Sequence, residues 1–276
     1  MNSYFSTFLC TGVLYTMMIK KKRITAALLA LGLGAVTMFS QFPVSAAEET
    51  AQNTDAAAQT ADPSVVITNG IDGWPQASDI SSAAAIVMET STNTVLYSKN
   101  ADQPLYPASA VKIMTCLVAL KNGNLDEMVT VGDECRDIDV GSSVCEIQPG
   151  DVLSLRELLL GLMINSGNDA AMTIAKNVGG SVENFVAMMN EQAAEIGAVN
   201  THFMNPHGLQ DENHYTTVYD MYLIFHEALK NDDFRDIISR HSYYASFSTT
   251  TGEERNITWE STNHYFINQG GSSEGC

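Results

Sequence analysis

Positive charge is what this sequence has least of: 14 lysines and arginines face 32 aspartates and glutamates in 276 residues, a formal net charge of −18. Such a balance repels phosphate backbones and anionic lipid, so it argues against a nucleic acid partner and leaves any membrane contact to a hydrophobic device. Cysteine is scarce, with five in the chain, too few for a disulfide scaffold. Six histidines are present, yet no H-E-x-x-H or comparable ligand run occurs, and no metal or other cofactor is implied. His207 and His214 share a Pro/Gly loop and read as packing or hydrogen-bonding side chains. No internal period runs along the chain, which disfavours a solenoid. What the sequence does have is 45% hydrophobic residues against 17% charged, enough for a sizeable core in one or two domains.

The first segment reads as an address. Lys20-Lys21-Lys22-Arg23 directly precede the apolar run Ile24 to Phe39, and Val44-Ser45-Ala46 offers small residues where a signal peptidase reads. The run is shorter than the ~20 apolar residues of a permanent transmembrane helix. Residues 1–46 are therefore expected to be a secretory signal, with 1–16, ahead of Met17 and Met18, as a start-site artefact. Cleavage after Ala46 leaves an acidic, extracytoplasmic protein without Cys10. Residues 47–64, AEETAQNTDAAAQTADPS, hold no aromatic and no hydrophobic period, so they are expected to be a disordered tether.

From residue 65 the character is that of a folded domain. Ala83 to Met88 and Thr94 to Tyr97 flank the polar stretch Glu89 to Asn93, which predicts two strands about a short turn. Pro107 can start a helix and Asn122-Gly123 can stop one, so a largely apolar helix is expected from about Ser109. Leu153 to Ile164 predicts a buried helix ending near Asn165 to Asn168, and another follows from about Asp169 to Gly179-Gly180. Ser181 can cap a helix through Ile196, and Thr217 with Asp220 resembles a capping box for a helix to Leu229. A short helix over Asp232 to Ile238 and a closing stretch of strand and loop complete an α+β or α/β reading. Met163, Met172, Met188 and Met189 read as core-filling, and Asp151 and Glu157, with no spacing for acid catalysis, as part of a solvated acidic surface.

Two short motifs carry chemistry. In Ser109-Ala110-Val111-Lys112 a three-residue step along a helix puts hydroxyl and ammonium on one face. A serine needs a neighbouring base to become a nucleophile, and a buried lysine near a helix N-terminus is pushed toward its neutral form. The spacing alone is weak, since about one such tetrapeptide arises by chance in a chain of this length. The second motif, Ser166-Gly167-Asn168, follows a buried helix. Its hydroxyl can relay a proton and its amide can hold a carbonyl or the lysine, although the same residues also serve as the end of one helix and the cap of the next.

Pro107-Ala108-Ser109-Ala110-Val111-Lys112-Ile113-Met114-Thr115, then Asn165-Ser166-Gly167-Asn168-Asp169-Ala170-Ala171, then Asn205-Pro206-His207-Gly208-Leu209 with His214-Tyr215, resemble the serine-type D-alanyl-D-alanine carboxypeptidases, the low-molecular-mass penicillin-binding proteins. The likeness runs from about Ser82 to Phe266. It implies an α+β fold (an α/β sandwich) of the penicillin-binding and serine β-lactamase type, with a helical cluster against an antiparallel sheet. It also implies that Ser109 is the nucleophile, Lys112 the general base, Ser166 the proton relay and Asn168 a substrate-binding residue. The implied partners are a peptidoglycan pentapeptide ending in D-Ala-D-Ala and β-lactam antibiotics as covalent inhibitors. A β-lactamase-like hydrolase is the alternative of the same fold, disfavoured because Ser-Gly-Asn replaces Ser-Asp-Asn and no deacylating Glu can be located.

The family's third motif, K-T-G, is not found. Lys121-Asn122-Gly123 comes too early, and Thr250-Thr251-Gly252 has no lysine. The resemblance therefore implies that residues 65–276 are an incomplete catalytic domain lacking its C-terminal strands, with no membrane anchor in this chain, and a non-catalytic fragment becomes a further alternative. Losing one oxyanion-hole donor costs ~10²–10³ in rate, and the missing strand would take the carboxylate-binding cation with it. The sheet is expected to shrink to two strands with an open edge. Cys135 and Cys145 lie where a disulfide across a loop is permitted, which stays open, and Cys116 reads as a buried thiol.

Overall fold

Apolar strands seek partners on both edges, and the first sheet is built by that rule. A computed structural model describes residues 81–262 and, ahead of them, the backbone of four strands, β1 (Tyr4–Cys10), β2 (Val13–Ile19), β3 (Ala26–Leu31) and β4 (Val66–Ile67). The expected tether, 47–64, and the stretch 263–276 lie outside the described residues. The predicted hairpin is β5 (Ala84–Glu89) and β6 (Thr94–Lys99), antiparallel with a register irregularity at Val87/Met88. Ala84, Ala85, Ile86 and Met88 are buried, so β5 reads as a covered strand rather than an edge. The sheet is six-stranded in the order β2-β1-β3-β5-β6-β4, which corrects the expectation of a two-stranded element. The physical reason is the free row of N–H and C=O groups on β5, which Ala26–Leu31 takes up in antiparallel register from Ala26↔Glu89 to Leu31↔Ala84. Part of the segment read as a leader thus lies in the sheet.

Pro107 opens a 3₁₀ turn, Ala108–Val111, which passes into α1 (Lys112–Asn122), so the nucleophile candidate sits on the turn and the lysine at the first α-helical position. Residues Lys112 to Ala119 are all buried. A helix covered on every side belongs in the middle of a core, and α1 packs against each of the helices that follow. β7 (Met128–Thr130) and β8 (Asp151–Ser154) pair antiparallel, with a 3₁₀ turn, Asp133–Arg136, and a long irregular segment between them. These short strands carry no sequence signal; β8 takes Leu153, expected to open the next helix.

α2 (Leu155–Ile164) starts after a full capping box in which Ser154 accepts from the Glu157 N–H and Glu157 reaches back to the Ser154 N–H. α3 (Asn168–Gly179) ends on Gly180 in the left-handed region, and α4 (Val182–Ile196) is capped by Ser181 as expected and ends on Gly197 in the same conformation. α5 (Val218–Ala228) is capped by Thr217, but only half of the expected box forms. The Asp220 carboxylate turns instead to the Asn200 N–H at 2.7 Å and the Thr201 hydroxyl at 2.8 Å. α6 (Asp232–Ile238) follows, capped by Asn231.

The chain then enters the hairpin β9 (Ser242–Thr249) and β10 (Glu254–Glu260), which completes a four-stranded sheet ordered β10-β9-β8-β7. The described fold is α+β, with α5 against the first sheet and α2 against the second. Asp151, read as solvated, is 1% exposed and paired with Arg255 of β10, because the β-pairing draws it under the hairpin. Met172 and Met189 are buried, and Met163 and Met188 pack against the core from its rim. No described helix is long and apolar enough to cross a membrane.

Candidate active site

The two motifs meet where the turn before α1 faces the link between α2 and α3. Ser166 Oγ donates to Ser109 Oγ at 3.1 Å, and Lys112 Nζ lies 3.3 Å from the same oxygen. Lys112 Nζ also donates to Asn168 Oδ1 at 2.8 Å and to the His207 carbonyl at 2.7 Å. All four residues singled out from the sequence are therefore brought together. Ser109 and Ser166 are half-buried, Lys112 and Asn168 buried.

The partners of Lys112 settle what its nitrogen can do. Asn168 Oδ1 and the His207 carbonyl can only accept, so they occupy two hydrogens of the amine in either protonation state. As an ammonium, Lys112 gives its third hydrogen to Ser109. As a neutral amine, it turns its lone pair toward the Ser109 hydroxyl, which is the geometry of a general base. Burial pushes Lys112 down from 10.5 to about 7, against the opposing pull of Cys145 and Asp169. The Cys145 thiol is itself raised well above its ordinary value by burial, so it stays neutral near pH 7 and leaves Asp169 as the opposing charge.

The backbone around the site is constrained. Ala108 and Ser166 hold positive φ of 47° and 56°, conformations that non-glycine residues adopt only when the surroundings hold them. Gly208, at φ 93°, passes so close to the Ala108 carbonyl that a Cβ there would overlap it. The loop containing Asn205 to Leu209 therefore presses on the Ser109 turn from one side and gives Lys112 a carbonyl from the other. It is braced by Asn205, which accepts from the Gly208 N–H and donates to the Leu209 carbonyl, and by the Thr115 hydroxyl on the Pro206 carbonyl.

On the opposite side, Gly167 and Gly161 leave room for the Cys145 side chain, which a Cβ at either position would meet. Cys135 and Cys145 are both buried free thiols, as is Cys116, which answers the question of a bridge left open by their spacing. Trp259 donates to the Cys145 carbonyl at 3.0 Å and stacks on Tyr243, tying the hairpin to the wall of the site. His207 Nδ1 accepts from the Leu209 N–H, and burial lowers the ring to about 4, so it is neutral near pH 7. Its ring hydrogen-bonds as expected, but the third partner of Lys112 is its main-chain carbonyl, which no side-chain pattern announces. The Asn-Pro-His-Gly-Leu run was the only signal that could have found it. Among the described residues no three His, Cys, Asp or Glu side chains converge as a metal site requires.

Comparison with known proteins joins this geometry to a family. The D-alanyl-D-alanine carboxypeptidase family matches residues 73–276. The chain is 37% identical over 169 residues to the D-alanyl-D-alanine carboxypeptidase DacF of Bacillus subtilis, a match covering 60% of this chain and 43% of that one. It is 35% identical over 195 residues to the D-alanyl-D-alanine carboxypeptidase of Streptomyces sp. strain K15, covering 67% of each. The crystal structure of the Streptomyces K15 DD-transpeptidase superposes with a TM-score of 0.67 at 34% identity, over 71% of this chain and 79% of that one. The fold expected from the motifs is thus the fold found, and the match spans less than half of the Bacillus relative.

Proposed function

Since the chain belongs to the D-alanyl-D-alanine carboxypeptidase family, we propose that it removes the terminal D-alanine from peptidoglycan stem peptides through an acyl-enzyme on Ser109. The neutral Lys112 amine takes the Ser109 proton as Oγ attacks the carbonyl carbon of the D-Ala-D-Ala bond. The tetrahedral intermediate collapses with cleavage of the C–N bond. Ser166 passes a proton to the departing amine and is resupplied by the Lys112 ammonium, which leaves Lys112 neutral again. Water then attacks the ester, Lys112 takes its proton, and Ser109 is released with its hydroxyl restored. Asn168, fixed by Lys112 on its Oδ1 side, keeps its amide hydrogens for a substrate carbonyl. A β-lactam carbonyl meets the same nucleophile, but its C–N bond opens a ring and the leaving nitrogen stays tethered.

The observation that carries this reading is the threefold coordination of a buried Lys112 nitrogen, two pure acceptors and the Ser109 hydroxyl. The basic cluster Lys20 to Arg23 before an apolar run supports export across the cytoplasmic membrane to where peptidoglycan is found, and cleavage after Ala46 would remove β1 to β3 and leave β5 paired with β6 alone. The test is release of free D-alanine from an N-acylated peptide ending in D-Ala-D-Ala. Release is expected to disappear in Ser109→Ala and to fall by about 10⁴-fold or more in Lys112→Met. Release that persists in Ser109→Ala, or none from folded wild type, contradicts the proposal.

A further inference from the structure

Asp169 directly follows Asn168 in the first turn of α3 and is 2% exposed. Its Oδ1 accepts from the Ala170 N–H at 2.8 Å, a local bond at a helix start, and also from the Cys145 N–H at 2.8 Å, while Oδ2 accepts from the Ile147 N–H at 3.2 Å. The last two come from the irregular segment between β7 and β8, which has no ladder of its own there. Between them sits Glu146 at φ 62°, a left-handed non-glycine residue held by the two amides that flank it. The same segment is the wall of the site. The Ser143 carbonyl accepts from the Asn168 N–H at 2.8 Å and the Val144 carbonyl from the Asn165 amide at 2.6 Å. Burial raises the Asp169 carboxyl above its ordinary value, and the three N–H donors, which only the acceptor oxygens of the carboxylate can all satisfy, oppose that rise and favour the ionised form in which the fastening is charge-assisted.

We propose that Asp169 is a positioning residue for the Lys112–Asn168 pair, its carboxylate fastening residues 143–147 to the first turn of α3 and serving as the fixed negative charge beside Lys112. The proposal rests on the reading of Lys112 as the base. The ionisable groups facing Lys112 are Asp169, Cys145 and His207. Burial keeps the Cys145 thiol and the His207 ring neutral near pH 7, so Asp169 is the one of the three that holds Lys112 up against desolvation. Cys135, also near Asp169, is a thiol raised to about 11 and is neutral too.

The experiment uses the full chain and Asp169→Asn, with lysine labelled at Cε and Lys112 assigned by Lys112→Met. In Asp169→Asn one acceptor becomes an N–H₂ that faces the Ile147 N–H, and the charge is lost. The Lys112 titration midpoint is expected to fall by about half a unit or more. Hydrogen exchange at the Cys145 and Ile147 amides should speed up by about 10-fold or more, and acylation by benzylpenicillin should slow by about 10- to 100-fold with its acid limb at lower pH. A residue that only supports the fold would lower the melting temperature and leave the Lys112 midpoint in place, and an unmoved midpoint overturns the proposal. A second measurement needs no variant: in the wild type, the Cys145 and Ile147 amide shifts should follow the same midpoint as the Asp169 carboxyl carbon, and separate midpoints overturn the fastening. If the wild type is not acylated at all, the proposed function fails, while both titrations still decide the role of Asp169.

Discussion

Replacing Lys112 by methionine should change how stability depends on pH, in a direction fixed by the sign of its shift. In the folded chain Lys112 loses its proton at about 7, against 10.5 for the same group in water. Between those values the unfolded chain binds a proton that the folded chain does not, so stability rises with pH across the window and the penalty is fully in force below it. The whole shift corresponds to about 5 kcal/mol. From about pH 7.5 to about pH 9.5 the wild type should gain roughly 2.5 kcal/mol of unfolding free energy that Lys112→Met does not gain. Methionine matches the length and apolar stem of the side chain, so the core around α1 stays filled while Asn168 Oδ1 and the His207 carbonyl lose their donor. That loss offsets the two curves by an amount insensitive to pH, and only the slope is diagnostic. Urea unfolding of both proteins at several pH values, followed by fluorescence, gives the two slopes. Parallel curves would mean that Lys112 keeps an ordinary ammonium in the fold, and the argument for its basicity would collapse.

Three further outcomes follow from the packing. Gly208→Ala forces a Cβ onto the Ala108 carbonyl at a positive φ, so the Ser109 turn has to move; acylation should fall by about 100-fold with most of the stability retained, and a loss under about twofold speaks against the tight contact. Gly167→Ala brings a Cβ against Cys145 Sγ, and shortening the neighbour with Cys145→Ala should recover part of the loss in melting temperature, whereas simple additivity would show that the two do not meet. Arg255→Leu strips the buried Asp151 of its cation and should cost about 2–4 kcal/mol in urea unfolding, and adding Asp151→Asn should return part of it; a cost unchanged by the second substitution contradicts a charge-based penalty.

The parts of the site that were legible in the sequence are those encoded over a few residues. Ser109 and Lys112 share a helical face by spacing alone, and Ser181 and Thr217 announce helix starts through a side chain that meets an N–H three residues on. What stayed hidden depends on partners far along the chain. Asp151 looks like any surface carboxylate until β8 pairs with β9 and Arg255 arrives from β10. The His207 carbonyl is invisible because every residue has one, and only its position beside Lys112 makes it matter. β7 spans three residues, two of them exposed, and offers no alternation to read. The edge of β5 was expected to be open because only the hairpin partner was visible, and the strand that covers it comes from a segment read as an export signal. Ser154 with Glu157 is a capping signature legible in the sequence, and it sets the helix start at Leu155, where the run of leucines from Leu153 by itself suggests an earlier one.

The central claim is that Ser109 is made nucleophilic by Lys112, and the intact mass of the protein after exposure to benzylpenicillin tests it most directly. One penicilloyl adduct per chain, mapped to the peptide containing Ser109 and absent from both Ser109→Ala and Lys112→Met, is the expected result. An adduct that survives in Ser109→Ala, or none on folded wild type, would contradict it.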